Sequence, residues 1–323
     1  MVIEPIPIVI DIRPYCGASR SWNTEILACK ISQHLNQYIV LDLRQEGWDI
    51  VENGIEQVVK NIADELNIPY KNIKFRSSDK LCKSQVFEHE LNTDYVDVFT
   101  RFFRVEDIKV PIANNYGLFC GRGTNERLYS FWKHKNWQYT NYGKSSLHVK
   151  SIENIDECDT DYVQFLCEHN EKWQDIKSIV PYTDLDHTIG PVHNMPECTQ
   201  AKFWNKIYND ITIEIVCETS TSEGNCFITE KTLRPIVYGR LFMIVGSPKF
   251  EAHLKELGFD IFDDILDKTY DSESGYIRID NVFNSLKKFL STNFNFQNIL
   301  PRLKANQERF KANQERFKVF KNE

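Results

Sequence analysis

Apolar residues along this chain fall into two alternating rhythms, short unbroken runs and stripes at helical spacing. The run "IPIVIDI" (6–12) predicts a buried strand. "SWNTEILACKISQHLNQ" follows, with Ile26, Leu27, Ile31 and Leu35 at helical spacing and Ser21 or Asn23 as cap. "YIVLDL" (38–43) returns as a strand, "VENGIEQVVKNIADELN" (51–67) as an amphipathic helix and "NIKF" (72–75) as a third strand. Strand and helix taken in turn are the signature of a parallel sheet wrapped by helices.

Around Pro111 to Gly117 the pattern restarts. "YGLFCGRGTNERLYSFWKH" (116–134) reads as apolar strand, glycine turn and helix. "SLHVK", a helix near "TDYVQFLCEHNEKW", the helix "AKFWNKIYN", the strand "ITIEIVCE", a helix after Thr229, the strand "RLFMIVG" and the helix "FEAHLKELG" follow. The loop "PYTDLDHTIGPVHNM" (181–195) fits neither rhythm, and whether it contributes to a site stays open. The expectation is α/β with two βα lobes, 1–113 and 114–295, and a C-terminal helix over 296–323. That tail holds a tandem copy, "KANQERF" at 304–310 and 311–317, which aligns Leu303, Phe310 and Phe317 on one stripe. Both a helix lying on the body and a coiled-coil homodimer fit the stripe.

At 323 residues the chain is long enough for two lobes, because single cores stop growing near ~250–300 residues. Its 41% hydrophobic and 26% charged residues describe a globular protein. A net charge of -7 opposes a broad nucleic-acid surface, whose affinity comes from clustered Lys and Arg. Nucleic acid is therefore not an expected partner. The N-terminal apolar run carries Glu4 and two prolines with no basic segment ahead of it, unlike a signal peptide, and no window reaches the ~20 apolar residues of a membrane helix. A cytoplasmic location and no membrane span follow as expectations. The nine cysteines contain no C-x-x-C pair, so buried free thiols are expected rather than a zinc knuckle or a disulfide framework.

The candidate chemistry gathers in "SEGNCFITEKTLRPIVYGRLFMIVGSP" (222–248). Thr229 is placed to cap a helix whose free N–H groups and positive dipole end suit an anion. Leu233, Ile236 and Val237 share one face; Glu230, Lys231 and Arg234 share another. There Lys231 can neutralise a phosphate, Arg234 can fork onto a second oxygen and Glu230 can accept from ribose hydroxyls. An ordinary i,i+4 surface pair between Glu230 and Arg234 is the competing reading. Pro235 conflicts with a helix interior and predicts a kink or a late start. Glu218 and Thr219 end the strand "ITIEIVCE", at the edge where open α/β sheets hold ligands. Glu223 is a weaker candidate in the following loop.

The segment "FITEKTLRPIVYGRLFMIVGSP" resembles the donor-binding motif of fucosyltransferases. With "GLFCGR" and "LKELGFDIFDDILDKTYD", the chain is similar to glycosyltransferase-like proteins of phages, large viruses and bacteria. The resemblance implies a GT-B arrangement of two Rossmann-like lobes: donor held mainly by the C-terminal lobe, acceptor by the N-terminal lobe, no obligatory metal. It implies a nucleotide-diphosphate sugar as donor, a glycan hydroxyl as acceptor, Glu230 on the ribose, Lys231 near the phosphates, and Arg122 of "FCGRG" on the diphosphate. Arg234 and Pro235 depart from many fucosyltransferases, so the sugar and nucleotide stay open.

Inverting transfer requires a base on the acceptor side. Glu46, beyond the second strand and before Gly47, is the first candidate and Asp11, ending the first strand, the second; Arg13 is placed to pair with Asp11 or to meet acceptor. "DTD" (159–161) and "DLD" (184–186) match the D-x-D of metal-dependent transferases, but the pattern is short, and no metal role is assigned. His187 and His193 read as loop histidines. A non-catalytic carbohydrate or nucleotide module, and a sugar transferase acting on modified viral DNA, are the alternative functions.

Overall fold

The computed structural model describes residues 7–12, 23–43, 54–77, 84–91, 105, 107–111, 114–120, 124–147, 182–183, 204–218, 221 and 226–320. The chain divides into two compact units, one of residues 1–97 with 223–227 and one of residues 98–222 with 228–323. The sequence pattern places the division at 113/114 and sets the tail apart; in the structure the tail belongs to the second unit.

Unit 1 is built on the parallel strands β1 (Ile8–Asp11), β2 (Ile39–Asp42), β3 (Ile73–Ser77) and β4 (Glu88–Leu91), paired in that order. Helices α1 (Thr24–Ser32) and α2 (Ile55–Glu65) connect the first three. Apolar β-branched residues favour the pleated, buried surface, and Ile39, Leu41, Ile73 and Phe75 form the floor of the core. Onto it pack Leu27 and Ile31 of α1 and Ile55, Val59, Ile62 and Ala63 of α2. Asn23 caps α1 by accepting from the Ile26 N–H at 3.1 Å. The predicted α1 stripe narrows to Leu27 and Ile31. Ile26 is exposed because it lies about 100° round the helix from Leu27, and Leu35 is exposed because it falls beyond the last helical residue. Strand β4, "EHEL", has no apolar rhythm, which is why the sequence reading lacks it; it occupies the sheet edge. Buried Glu56 secures the approach to β4, accepting from Ser84 Oγ and from the backbone N–H groups of Gln85 (2.6 Å) and Val86 (3.3 Å).

Unit 2 contains β5 (Tyr116–Cys120), α3 (Asn125–Lys135), β6 (Gly143–Leu147), β7 (Tyr182–Thr183), β8 (Ile213–Cys217), α4 (Glu230–Val237), β9 (Leu241–Val245), α5 (Phe250–Glu256), α6 (Gly275–Leu290) and α7 (Leu300–Phe320). The sheet order is β7-β6-β5-β8-β9, parallel except for the β6–β7 pair. Every residue of β5, β8 and β9 is buried, as expected for strands covered on both faces. Thr229 caps α4 as predicted, its Oγ1 accepting from the Lys231 N–H at 3.2 Å, and the helix runs through Pro235 for eight residues. The chain then reverses into β9 at Gly239. Its φ of +60° suits glycine, and a Cβ there would sit 2.5 Å from the Ile108 side chain.

Helix α6 is absent from the sequence reading, although Ile279, Val282, Phe283, Leu286 and Phe289 make a helical stripe that the structure buries. Arg278 pins it, donating from Nε to the Ile244 carbonyl (3.0 Å) and from a terminal nitrogen to Asp271 (2.8 Å). Helix α7 lies on unit 2: Leu303 and Phe310 are buried, and Gln307 donates to the Val237 carbonyl at the end of α4 (2.6 Å). The side chain of Phe317 lies outside the described residues. Among the described residues, no helix is long and apolar enough to cross a membrane.

Candidate functional site

In unit 2 the strand order reverses once. The chain leaves β5 through α3 toward β6 on one side, and leaves β8 through α4 toward β9 on the other, while β5 and β8 are neighbours. Outside the carboxyl ends of two such strands the connecting helices diverge and open a crevice, the usual ligand site of open α/β sheets. Both helices begin at this edge, so their positive dipole ends are directed to it, and in α4 the Lys231 N–H is already taken by the Thr229 cap.

Glu218, the residue after β8, ties α4 to this edge. Its carboxylate is buried and accepts from the Thr229 backbone N–H (3.3 Å), from Thr229 Oγ1 (2.6 Å) and from Thr232 Oγ1 (2.5 Å). The same Thr229 hydroxyl caps the helix, so one carboxylate fixes where α4 starts. Next comes Lys231, whose ammonium lies 2.7 Å from the Glu230 carboxylate and 3.4 Å from Thr229 Oγ1. The Glu230 side chain is partly open to solvent. Burial acts to raise its pKa, but attraction to Lys231 outweighs this and holds it below the ordinary carboxylate value.

From the α3 side, Arg127 reaches the same edge. Its guanidinium is buried and donates to the carbonyl oxygens of Glu218 (2.9 Å) and Cys217 (3.4 Å). Its Nε, and the Oδ1 of Asn125 two residues earlier, are buried with no hydrogen-bond partner among the described residues. A buried donor without a partner costs about 1–3 kcal/mol, which a ligand oxygen would recover. Thr221 Oγ1 donates to Glu126 at 2.8 Å, which holds the chain after β8 to the first turn of α3. Beneath, Cys120 and Cys217 end β5 and β8 and share a hydrogen bond. That bond holds the Cys217 thiol below its ordinary pKa and, with burial, the Cys120 thiol above it.

Arg234 takes a different place from the one its spacing predicts. It turns into the lobe, donating from Nε to the Tyr208 hydroxyl (2.8 Å) and from a terminal nitrogen to Glu214 (2.5 Å), with its guanidinium carbon 4.2 Å from the Trp204 ring centre. Burial opposes its charge, but the Glu214 carboxylate outweighs burial and raises the Arg234 pKa. A buried carboxylate on β8 demands a cation, and the nearest position on α4 that faces the sheet is 234. Neither the phosphate fork nor the surface pair with Glu230 is what forms. Tyr208 also donates to Glu214 and stacks on Tyr238 at 4.5 Å between ring centres.

No family model, curated protein or solved structure matches this chain. The site therefore rests on its own geometry.

Of the residues singled out in the sequence, the structure brings together Glu218, Thr229, Glu230 and Lys231. Arg122, Thr219, Glu46, Glu223, Arg13, His187, His193, both D-x-D stretches and, except for the backbone of 182–183, the loop 181–195 lie outside the described residues. Asp11 ends β1 of unit 1, in register with Asp42. Among the described residues, no group of three or more His, Cys, Asp or Glu side chains is placed to hold a metal. Arg127 is absent from the sequence reading. The available signal was its position, third in a helix that follows a strand and a glycine turn, where a long cation swings back over the strand end.

Proposed function

We propose that the chain is a glycosyltransferase that takes its sugar from a nucleoside-diphosphate donor bound in the unit 2 crevice. The observation that carries this reading is the reversal of strand order between β5 and β8. It is flanked by two helix N-termini, with Lys231 and Glu230 on one and the buried Arg127 guanidinium at the other. Two dipole ends and two cations match two linked phosphoryl groups, while Glu230 offers a carboxylate to ribose hydroxyls. The likeness of "FITEKTLRPIVYGRLFMIVGSP" to a fucosyltransferase donor motif supports the same assignment of Glu230 and Lys231.

In the reaction a glycan hydroxyl attacks the anomeric carbon from the face opposite the diphosphate. The new carbon–oxygen bond forms as the bond to the diphosphate oxygen breaks, and a carboxylate base takes the hydroxyl proton. Glu46 and Asp11 are the candidates for that base. Lys231 and Arg127 stabilise charge growing on the departing diphosphate, with Arg127 acting through its unpartnered Nε. The donor needs no metal in this scheme.

The test is a panel of uridine, guanosine, cytidine and adenosine diphosphates and their sugars, read by thermal shift and by release of free nucleoside diphosphate. A ligand selective for the folded state raises its apparent stability. Selective stabilisation with slow release supports the transferase. Stabilisation without release identifies a binding module that lacks the chemistry, and no stabilisation by any nucleotide overturns the reading.

A further inference from the structure

At the opposite end of the unit 2 sheet lies a polar groove of about 470 Å³, lined by Tyr139, Asn281, Asn284, Asp267, Lys287 and Lys288, with Thr269, Ser285 and Ser291 completing it. Tyr116 is the first residue of β5; its ring lies 5.7 Å from Trp137, and Trp137 lies 5.0 Å from Tyr139. The groove therefore opens at the amino end of β5, away from the crevice at Cys120 and Glu218, and its volume falls in the range of ligand sites.

Its polar groups divide into two sets. One is a frame already satisfied internally. Lys288 pairs with Asp267 (2.5 Å), Thr269 Oγ1 donates to Asp267 (2.8 Å), Ser285 Oγ to the Asp267 carbonyl (2.7 Å) and Ser291 Oγ to the Lys288 carbonyl (2.7 Å). Lys288 and Thr269 hold the Asp267 carboxyl down to about 2, so the frame stays ionised. The other set is unengaged: the side-chain amides of Asn281 and Asn284, the Tyr139 hydroxyl and the Lys287 ammonium have no hydrogen-bond partner among the described residues. Asn281 and Asn284 stand three apart on α6, which puts both amides on one face of the helix.

We infer that this groove binds a neutral oligosaccharide. A side-chain amide both donates and accepts, and so does a sugar hydroxyl; a phosphate or sulfate only accepts and would leave both amide oxygens unmatched. Lys287 and Lys288 occupy the last turn of α6, where their charge offsets the negative end of the helix dipole. With Lys288 paired to Asp267, the groove offers two amides and a hydroxyl beside a single unpaired lysine rather than a concentrated positive charge. Tyr139, set edge-on against Trp137 and tilted to Tyr142 at 6.2 Å, adds an aromatic wall for the C–H face of a sugar ring. This inference does not depend on the transferase reading, since the groove and the crevice lie at opposite ends of the sheet.

The experiment titrates the full chain with maltotetraose, cellotetraose and chitotetraose, and with a sulfated tetrasaccharide and inorganic pyrophosphate for contrast. Binding of at least one neutral tetrasaccharide is expected. The Asn281→Ala/Asn284→Ala variant should weaken it about tenfold or more, since two hydrogen bonds are lost. Alanine has the higher helix propensity, so this variant keeps α6. Tyr139→Ala should weaken it severalfold, and nucleoside-diphosphate binding should change by less than about twofold in both, because sites far apart act independently. The inference is overturned if no neutral tetrasaccharide binds, if only the sulfated or pyrophosphate ligand binds, or if the double variant binds as the parent does. Loss of nucleotide binding in the parent chain would strike the transferase reading and leave this one standing.

Discussion

The two sheets differ in one topological respect. In unit 1 the strands pair in chain order, β1-β2-β3-β4, so each connection moves the chain the same way across the sheet. In unit 2 the order β7-β6-β5-β8-β9 turns back between β5 and β8. A sheet that always advances carries successive helices on one side of each preceding strand and opens no crevice among its described strands; a sheet that reverses must separate the helices on either side of the turning point. Burial follows the same division. β3 alternates buried and half-buried residues, whereas β5, β8 and β9 are buried throughout. Unit 2 also buries the guanidinium groups of Arg127, Arg234, Arg240 and Arg278, each held by carbonyls or carboxylates. The lesson is that charge inside unit 2 serves two ends: most of it fixes the architecture, while Arg127 keeps an unpartnered Nε where the strand order turns.

Arg234→Ala is the sharpest break of that distinction. Removing it leaves Glu214 buried without its cation, and losing one partner of such a pair costs about 3–5 kcal/mol. Urea unfolding of the variant should show that loss. Replacing both partners and the hydroxyl between them, Glu214→Leu with Arg234→Met and Tyr208→Phe, should recover most of it, because a well-packed apolar set avoids the desolvation of two ions. If Arg234→Ala instead kept its stability and lost only nucleotide affinity, Arg234 would belong to the crevice.

Lys231→Ala should do the reverse. Its ion pair with Glu230 is partly open to solvent and contributes about 0–1 kcal/mol, so the urea midpoint should barely move. A charge-assisted contact to phosphate contributes about 1.5–3 kcal/mol, so nucleoside-diphosphate affinity should fall roughly 10- to 100-fold by calorimetry. Unchanged affinity would remove the lysine from the site.

That these two cations of one helix serve different ends explains how far the sequence could be read. The apolar runs located β1, β2, β5, β8 and β9, most plainly where β5, β8 and β9 are buried throughout, and Ile73 and Phe75 alone marked β3. β4 escaped because an edge strand needs no such run. Thr229 was legible as a cap because capping is local chemistry within three residues. Arg234 was not, since its direction is set by Glu214 some twenty positions earlier on a neighbouring strand. Arg127 was illegible for the same reason: its acceptors, the Cys217 and Glu218 carbonyls, lie about ninety positions away. The duplicated tail makes the point with identical sequence. Asn306 and Gln307 of the first copy are buried, while Asn313 and Gln314 of the second are only half-buried.

A smaller effect is expected at the groove frame of unit 2. The Asp267 carboxyl lies at about 2, below its ordinary value, through hydrogen bonds from Lys288 and Thr269. A depressed carboxylate stabilises the fold above its unfolded pKa, and the contribution is lost as pH falls from about 4 through about 2. Asp267→Asn should therefore flatten the acid limb of the stability curve in that window and leave its shape near neutral pH unchanged. Because the Lys288 pair is largely exposed, the difference should stay within about 1 kcal/mol, read from urea midpoints at successive pH values.

The smallest effect on nucleotide affinity concerns unit 1 and completes the contrast. If the donor crevice belongs to the reversing sheet alone, Asp11→Asn at the end of β1 should leave nucleoside-diphosphate affinity within about twofold of the parent. The same variant, and separately Glu46→Gln, should lower transfer to a glycan hydroxyl if either residue supplies the base, since general base catalysis contributes about 10²–10⁴-fold. Calorimetry and transfer measured on one preparation separate the two effects. A large loss of nucleotide affinity on changing Asp11 would mean that the non-reversing sheet also holds the donor, and the division of labour drawn from strand order would fail.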